Sequence, residues 1–222
     1  MKLFYLFMVT FITASFSIFG QSIKDFYIPS EKNYDIASYY RMGESGIQRD
    51  FEVTIFYKKI DNLNYEIEER NTWRGDLISN QLKNIIIFPT EIKMTRIYST
   101  SIVKGGNRDF NYEPPITLLK MPISGEITSW TIMDERDESI QKCSSSMTTV
   151  TLNGIRRRAI KVVTQTYLKG IEEPSFNNSK LVAYYVQGFG LLNTDFISAK
   201  GDTKPFLKFN NLSTKPNSVI QH

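Results

Sequence analysis

Lys180-Leu-Val-Ala-Tyr-Tyr-Val-Gln-Gly-Phe-Gly-Leu-Leu-Asn-Thr-Asp-Phe196 is the stretch on which the fold turns. It reads as two strands joined at Gly188-Phe189-Gly190. Leu181 to Val186 is dense in β-branched and aromatic residues, which suit a pleated, half-buried surface. Leu181, Ala183 and Tyr185 point one way, and Val182, Tyr184 and Val186 the other. Both sets are apolar, so this strand is predicted to be central and covered on both faces. The glycines relieve the φ restriction where a strand kinks, bulges or lets another backbone approach. Read as a phosphate loop, Gly188-x-Gly190 would need a third glycine where Asn193 stands, followed by a capped helix.

The rest of the chain supplies strands that need such partners. Phe51, Val53, Ile55 and Tyr57 alternate with Glu52 and Thr54, Asp61-Asn62 marks a turn, and Leu63 to Glu68 alternates again, which predicts a hairpin with a wet outer face. Trp73-Arg-Gly-Asp76 contains an adhesion tripeptide but reads as a turn. Leu77 to Phe88 is a strand or a short helix stopped by Pro89, and Glu91 to Val103 a strand before the Gly105-Gly106-Asn107 loop. Ile116 to Met121 lies between Pro114-Pro115 and Pro122, which keeps it at a sheet edge or in a connection. Ile127 to Met133, Ser139 to Leu152 and Arg156 to Tyr167 are further strands, the last two joined by Asn153-Gly154 in a type I′ turn. Upstream, Pro29 and residues 33–35 suggest an extended lead-in, and Asp35 to Met42 a short helix capped by Asp35 and ended by Gly43. The predicted fold is all-β: a curved antiparallel sheet, a half-barrel or sandwich built of hairpins, with at most one or two short helices. Its expected bounds are a single β domain over residues 21–198 and a polar C-terminal tail over 199–222.

Residues 1–20 combine Met1-Lys2, an apolar run from Leu3 to Phe11 and small or apolar residues to Gly20, the pattern of a cleaved export signal. No later segment is long and apolar enough for a helical span. The mature chain is therefore expected outside the cytoplasm, periplasmic or secreted, with no transmembrane span after signal removal. The net charge of +4 is mild and mixed in sign, and does not point to nucleic acid. The one cysteine, Cys143, sits in a strand-like run and is expected to be a buried, inert core residue.

The one histidine is His222 at the last position, so Ser-His and Cys-His machinery has no base and closed zinc coordination no ligand set. No metal, cofactor or catalytic residue is expected. Asp134, Glu135, Asp137 and Glu138 are the richest acidic cluster, placed where a loop tip carries solvated charge. They lack the glycine-centred pattern of a calcium loop. Arg156, Arg158 and Lys161 form a candidate anion site, with Arg157 pointing the opposite way. Fifteen Phe, twelve Tyr and two Trp either fill a core or line an apolar pocket.

Leu118-Leu-Lys-Met-Pro-Ile-Ser-Gly-Glu-Ile-Thr-Ser-Trp130 and Ala183-Tyr-Tyr-Val-Gln-Gly-Phe-Gly-Leu-Leu192 resemble two segments of small exported β-proteins of Bacteroidota-type bacteria. That family carries Leu-x-x-Pro-Leu-x-x-Gly-x-x-Trp and, some fifty residues on, Tyr-Tyr-Ala-x-Gly-x-Gly-Leu-x-Lys. The resemblance spans residues 50–196. It departs in a longer Gly-to-Trp spacing and in Asn193 at the lysine position. It implies a fold similar to the half-barrel of periplasmic lipoprotein carriers and carries over no catalytic residue. The leading functional expectation is a non-enzymatic exported protein holding an apolar or lipid-like, amphipathic ligand on its concave face, with Trp73, Trp130, Tyr184 and Phe189 as candidate contacts. The alternatives are a structural or protein-interaction module of the cell envelope and a carboxylate-dependent hydrolase.

Overall fold

The computed structural model of the chain describes residues 22–30, 36–43, 46–102, 105–123, 125–135, 138–168 and 179–213. The expected signal (residues 1–20) and the end of the expected tail (214–222) lie outside the described residues. Among the described residues, one short helix, α1 (Lys24–Tyr27), precedes twelve strands. These are β1 (Ile36–Gly43), β2 (Gly46–Lys59), β3 (Asn64–Trp73), β4 (Asp76–Ile87), β5 (Glu91–Ser101), β6 (Asn107–Lys120), β7 (Thr128–Asp134), β8 (Ser139–Leu152), β9 (Ile155–Leu168), β10 (Lys180–Val186), β11 (Gly190–Ile197) and β12 (Thr203–Ser213). All pair antiparallel in one sheet ordered β6-β5-β4-β3-β2-β1-β12-β11-β10-β9-β8-β7. The sheet curls into a nearly closed barrel. No helix among the described residues is long and apolar enough to cross a membrane.

Alternation decides which side faces in. Val53, Ile55 and Tyr57 of β2, Tyr65 and Ile67 of β3, Ile85 and Ile87 of β4, and Ile160 and Val162 of β9 belong to one buried cluster. The register sets Ala183 beside Val162 and Tyr185 beside Ile160, so β10 presents these two inward. Val182 and Val186 are buried on its other side, as the two apolar faces of that strand predict. The turns follow local chemistry. Arg74-Gly75 and Asn153-Gly154 both take positive φ (50° and 88°, 51° and 78°), the type I′ signature.

Two segments correct the sequence reading. Residues 36–42, expected as a helix, form β1, because β2 and β12 offer ladders on both sides. Residues 203–213, expected within a tail, form β12 between β11 and β1. Pro205 is tolerated in that inner strand because it sits beside a register shift at Thr194/Asp195, where a bulge relaxes the ladder.

Because neighbours run up and down, the connections fall at two ends. The β2–β3, β4–β5, β8–β9 and β10–β11 turns mark the upper end; β3–β4, β7–β8 and β11–β12 mark the lower. The upper end is filled by the chain itself. Ile23 and Phe26, flanking and within α1, are fully buried in the barrel core, with Ile28 beside them. Tyr27 stacks on Tyr185 at 5.4 Å and the Lys24 ammonium lies 5.3 Å from the Tyr65 ring, so α1 bridges β10 and β3. Backbone bonds clamp it to the opening stretch: Gly188 N–H donates to Asp25 O (2.7 Å) and Ser30 N–H to Gly188 O (2.9 Å). Gly190 has φ +77°, and a Cβ there would stand 3.0 Å from the Tyr27 carbonyl oxygen and 3.3 Å from Pro29 Cδ.

The free edges, β6 and β7, meet through side chains instead of a ladder. Trp130 Nε1–H donates to Thr117 O (3.0 Å), Ser145 Oγ–H to Lys120 O (2.8 Å) and the Tyr112 hydroxyl to Asp134 Oδ1 (3.2 Å). Pro114 and Pro115 lie within β6, as expected for an edge.

If α1 plugs the upper end, Phe26→Ala costs about 3–5 kcal/mol in urea unfolding, the range for emptying a buried aromatic site. Gly190→Ala costs roughly 1–3 kcal/mol from strained φ and the clash with the plug. Wild-type stability in both variants would contradict the placement.

Candidate functional site

The inward-facing column of each strand changes character from top to bottom. On β3 it runs Tyr65, Ile67, Glu69, Asn71, Trp73; on β4 it runs Ile87, Ile85, Lys83, Gln81, Ser79; on β2 it runs Tyr57, Ile55, Val53, Phe51. Apolar groups therefore line the plugged half, polar groups the middle, and aromatics the lower rim.

At mid-height Lys83 Nζ donates to Glu69 Oε2 (3.1 Å), and Asn71 Nδ2 reaches Glu69 Oε1 at 3.5 Å. The Lys83 charge, followed by these hydrogen bonds, holds the Glu69 carboxyl below its ordinary range, against the opposing effect of burial. Both side chains lie within the barrel wall, yet 26% of Glu69 and 23% of Lys83 remain accessible. About a quarter of each side chain is thus open to solvent.

Above them sit four tyrosines. Tyr39 and Tyr57 are buried, the Tyr39 hydroxyl donating to Leu191 O at 2.7 Å, and Tyr27 stacks on Tyr185. Burial is the largest cause pushing all four hydroxyls well above the ordinary phenol range, and negative charge on Glu69 adds to it for Tyr27, Tyr39 and Tyr185.

The lower rim gathers aromatics and cations. The Arg41 guanidinium lies 4.8 Å from the Phe51 ring and 5.1 Å from Phe206, and Phe51 meets Trp73 edge-on at 6.4 Å. Arg74 pairs with Asp50 (3.4 Å) and covers the Trp73 ring at 5.9 Å. Trp73 is 42% exposed, and Phe196, Phe206 and Leu181 on neighbouring strands are exposed too. Such amphipathic groups suit a mouth that is apolar on one side and wet on the other.

The four candidate contacts do not share one surface. Trp73 belongs to this rim. Trp130 is 8% exposed and closes the β6–β7 seam. Tyr184 points away from the core side of β10, and Phe189 lies in the upper β10–β11 turn, 6.3 Å from Phe209 with Arg157 over it at 4.5 Å. Arg156 and Arg158 are exposed near the upper β8–β9 turn, Arg156 donating to Thr149 (3.3 Å), while Lys161 is half-buried beside Tyr184. In the acidic cluster Asp134 is buried against Tyr112 and Glu135 and Glu138 are exposed; Asp137 lies outside the described residues. Cys143 is buried, its Sγ 3.7 Å from Thr164 Oγ1, and burial pushes its thiol up, away from reactivity. Sequence reasoning missed Arg41, Phe51, Glu69, Lys83 and Phe206. The polar residues 69, 71, 81 and 83 standing on inward parity of β3 and β4 are the signal that could have found the first pair.

Open depressions also mark the surface of the described residues. A groove of about 520 Å³ follows the seam between Phe110–Thr117 and Thr131–Met133, with Glu113 and Glu135 at its sides. A second, of about 500 Å³, lies over the row Met133, Ile140 and Tyr167.

The tyrosines generate a pH prediction. Neutral phenols held above their unfolded pKa stabilise the fold fully below about pH 10, and that stability is lost as pH rises from there towards the folded pKa values. Ultraviolet titration is expected to show these four tyrosines, Tyr39 and Tyr57 buried and Tyr27 and Tyr185 half-buried, ionising only as the barrel unfolds in alkali. Smooth ionisation of all twelve in a folded protein would contradict this.

No protein-family model matches the chain. None of the curated proteins compared matches it either. Among solved structures, the chain is similar to a protein provisionally described as a lipoprotein from Parabacteroides distasonis, with TM-score 0.46 and 11% identity over 85% of this chain and 98% of that one.

Proposed function

We propose that the protein is an exported, non-enzymatic binding protein that holds an apolar or amphipathic ligand in the lower half of its barrel. The observation that carries this reading is the asymmetry of the interior. One end is filled by Ile23 and Phe26, while at mid-height Glu69 and Lys83 stay accessible above a rim of Phe51, Trp73 and Phe206. Ligand sites are concave, with a few placed polar groups among apolar walls. Export is supported by the Met1–Gly20 pattern, and the absence of an internal histidine supports a role without acid–base chemistry of that kind.

A second reading, an interaction module of the cell envelope, draws on the exposed row Met133 and Ile140 beside Tyr167, a depression on the outside of the barrel.

Lipid analysis of protein purified from its native envelope is expected to release a bound amphiphile. In a Trp130→Phe variant, where Trp73 is the sole tryptophan, adding that amphiphile shifts emission to the blue, and Trp73→Ala weakens binding several-fold. A clean blank from folded protein, with partner capture that depends on Met133 and Ile140, would select the second reading.

A further inference from the structure

The wall between the Glu69–Lys83 pair and the rim carries hydrogen-bonding groups that the protein does not use. Register places Glu69, Gln81 and Ser99 in one row across β3, β4 and β5, and Asn71, Ser79 and Ser101 in the next. All six are half-buried on the inward side of the sheet. Among the described residues, the Gln81 amide and the Ser79 and Ser99 hydroxyls bond no other side chain. Lys83 spends one N–H on Glu69 and has two left, and the Glu69 carboxylate keeps spare lone pairs. One row below, Phe51 pairs with Trp73 and offers ring faces and edges at the mouth.

This set is matched in charge and mixed in hydrogen-bonding sense. Glu69 and Lys83 neutralise each other, so a charged group arriving there would be desolvated without a free counter-charge on the wall. Of the two rim arginines, Arg41 lies over the Phe51 and Phe206 rings and Arg74 pairs with Asp50 (3.4 Å). A hydroxyl group donates and accepts, and so satisfies both the ammonium side and the carboxylate and amide side of the wall. Aromatic faces at the entrance suit the C–H face of a ring.

We propose that the β3–β4–β5 wall binds the polar head of the ligand, and that this head is an uncharged polyhydroxyl group of the sugar or glycerol class, stacked at its outer edge on Trp73. The inference rests on the reading above, that the barrel holds an amphiphile.

The test compares three amphiphiles with one dodecyl chain, each below its micelle concentration, titrated calorimetrically into the full mature chain. They are dodecyl maltoside, dodecyl phosphate and dodecyltrimethylammonium. The maltoside is expected to bind about tenfold or more tightly than either charged compound, the scale of one or two lost buried hydrogen bonds. Gln81→Leu combined with Ser99→Val removes that preference and leaves the affinity for dodecyl phosphate unchanged. Equal affinities for all three would overturn the head-group assignment while leaving the amphiphile reading intact, as would tighter binding of a charged compound. Binding of none would overturn both. Maltose binding as tightly as dodecyl maltoside would support the wall and remove the apolar half of the reading.

Discussion

A curled sheet of twelve strands encloses more space than its own inward side chains can fill; about eight strands is the size at which they suffice. Everything else in this molecule answers to that constraint. The upper half meets it by drawing residues 22–30 inside, so that Ile23 and Phe26 occupy the volume that wall residues leave. The lower half has no such insert among the described residues, and its wall is polar where the upper wall is apolar. Glu69, Asn71, Gln81 and Ser99 would be costly against packed protein and are at ease beside water or a ligand.

The Tyr39 hydroxyl bonded to Leu191 O and the Tyr27–Tyr185 stack mark the boundary between the halves. Tyrosine fits there because one end of the ring is apolar and the other needs a partner. The same economy governs the seam. β6 and β7 present unpaired edges, which in most sheets invite other chains. Here Trp130, Ser145 and Tyr112 span the gap, and the Pro114-Pro115 pair deprives the β6 edge of donors.

Much of the fold was legible because most strands carry a two-residue period and the turns carry glycine at positive φ. Phe51–Tyr57, Leu181–Val186 and Asn153-Gly154 are cases where local preference and tertiary packing agree. β1 was misread because Asp35 and Gly43 look like helix bounds, and only the ladders to β2 and β12 make the segment extended. β12 hid its alternation of Leu207 and Phe209 with Lys208 and Asn210 behind Pro205 and a polar composition. The site was less legible. Tryptophans attract notice in a sequence, yet Trp130 serves the seam, and Phe189 packs at the plugged end. The polar inward residues of β3 and β4 were visible only as charges, and nothing in one sequence says which side of a strand encloses a cavity.

An interior sealed above and open below predicts a difference in thiol accessibility, measured in a Cys143→Ala background. Single cysteines at Gln81 and at Ile85 stand four residues apart on the same inward face of β4, each two residues from Lys83 and on opposite sides of it. Native-state reaction with a small maleimide is expected to be rapid at position 81 and suppressed at position 85 by orders of magnitude, until denaturant unfolds the barrel. Equal protection at both positions would mean a filled core throughout, equal reaction would mean an unplugged tube, and either result would contradict the account.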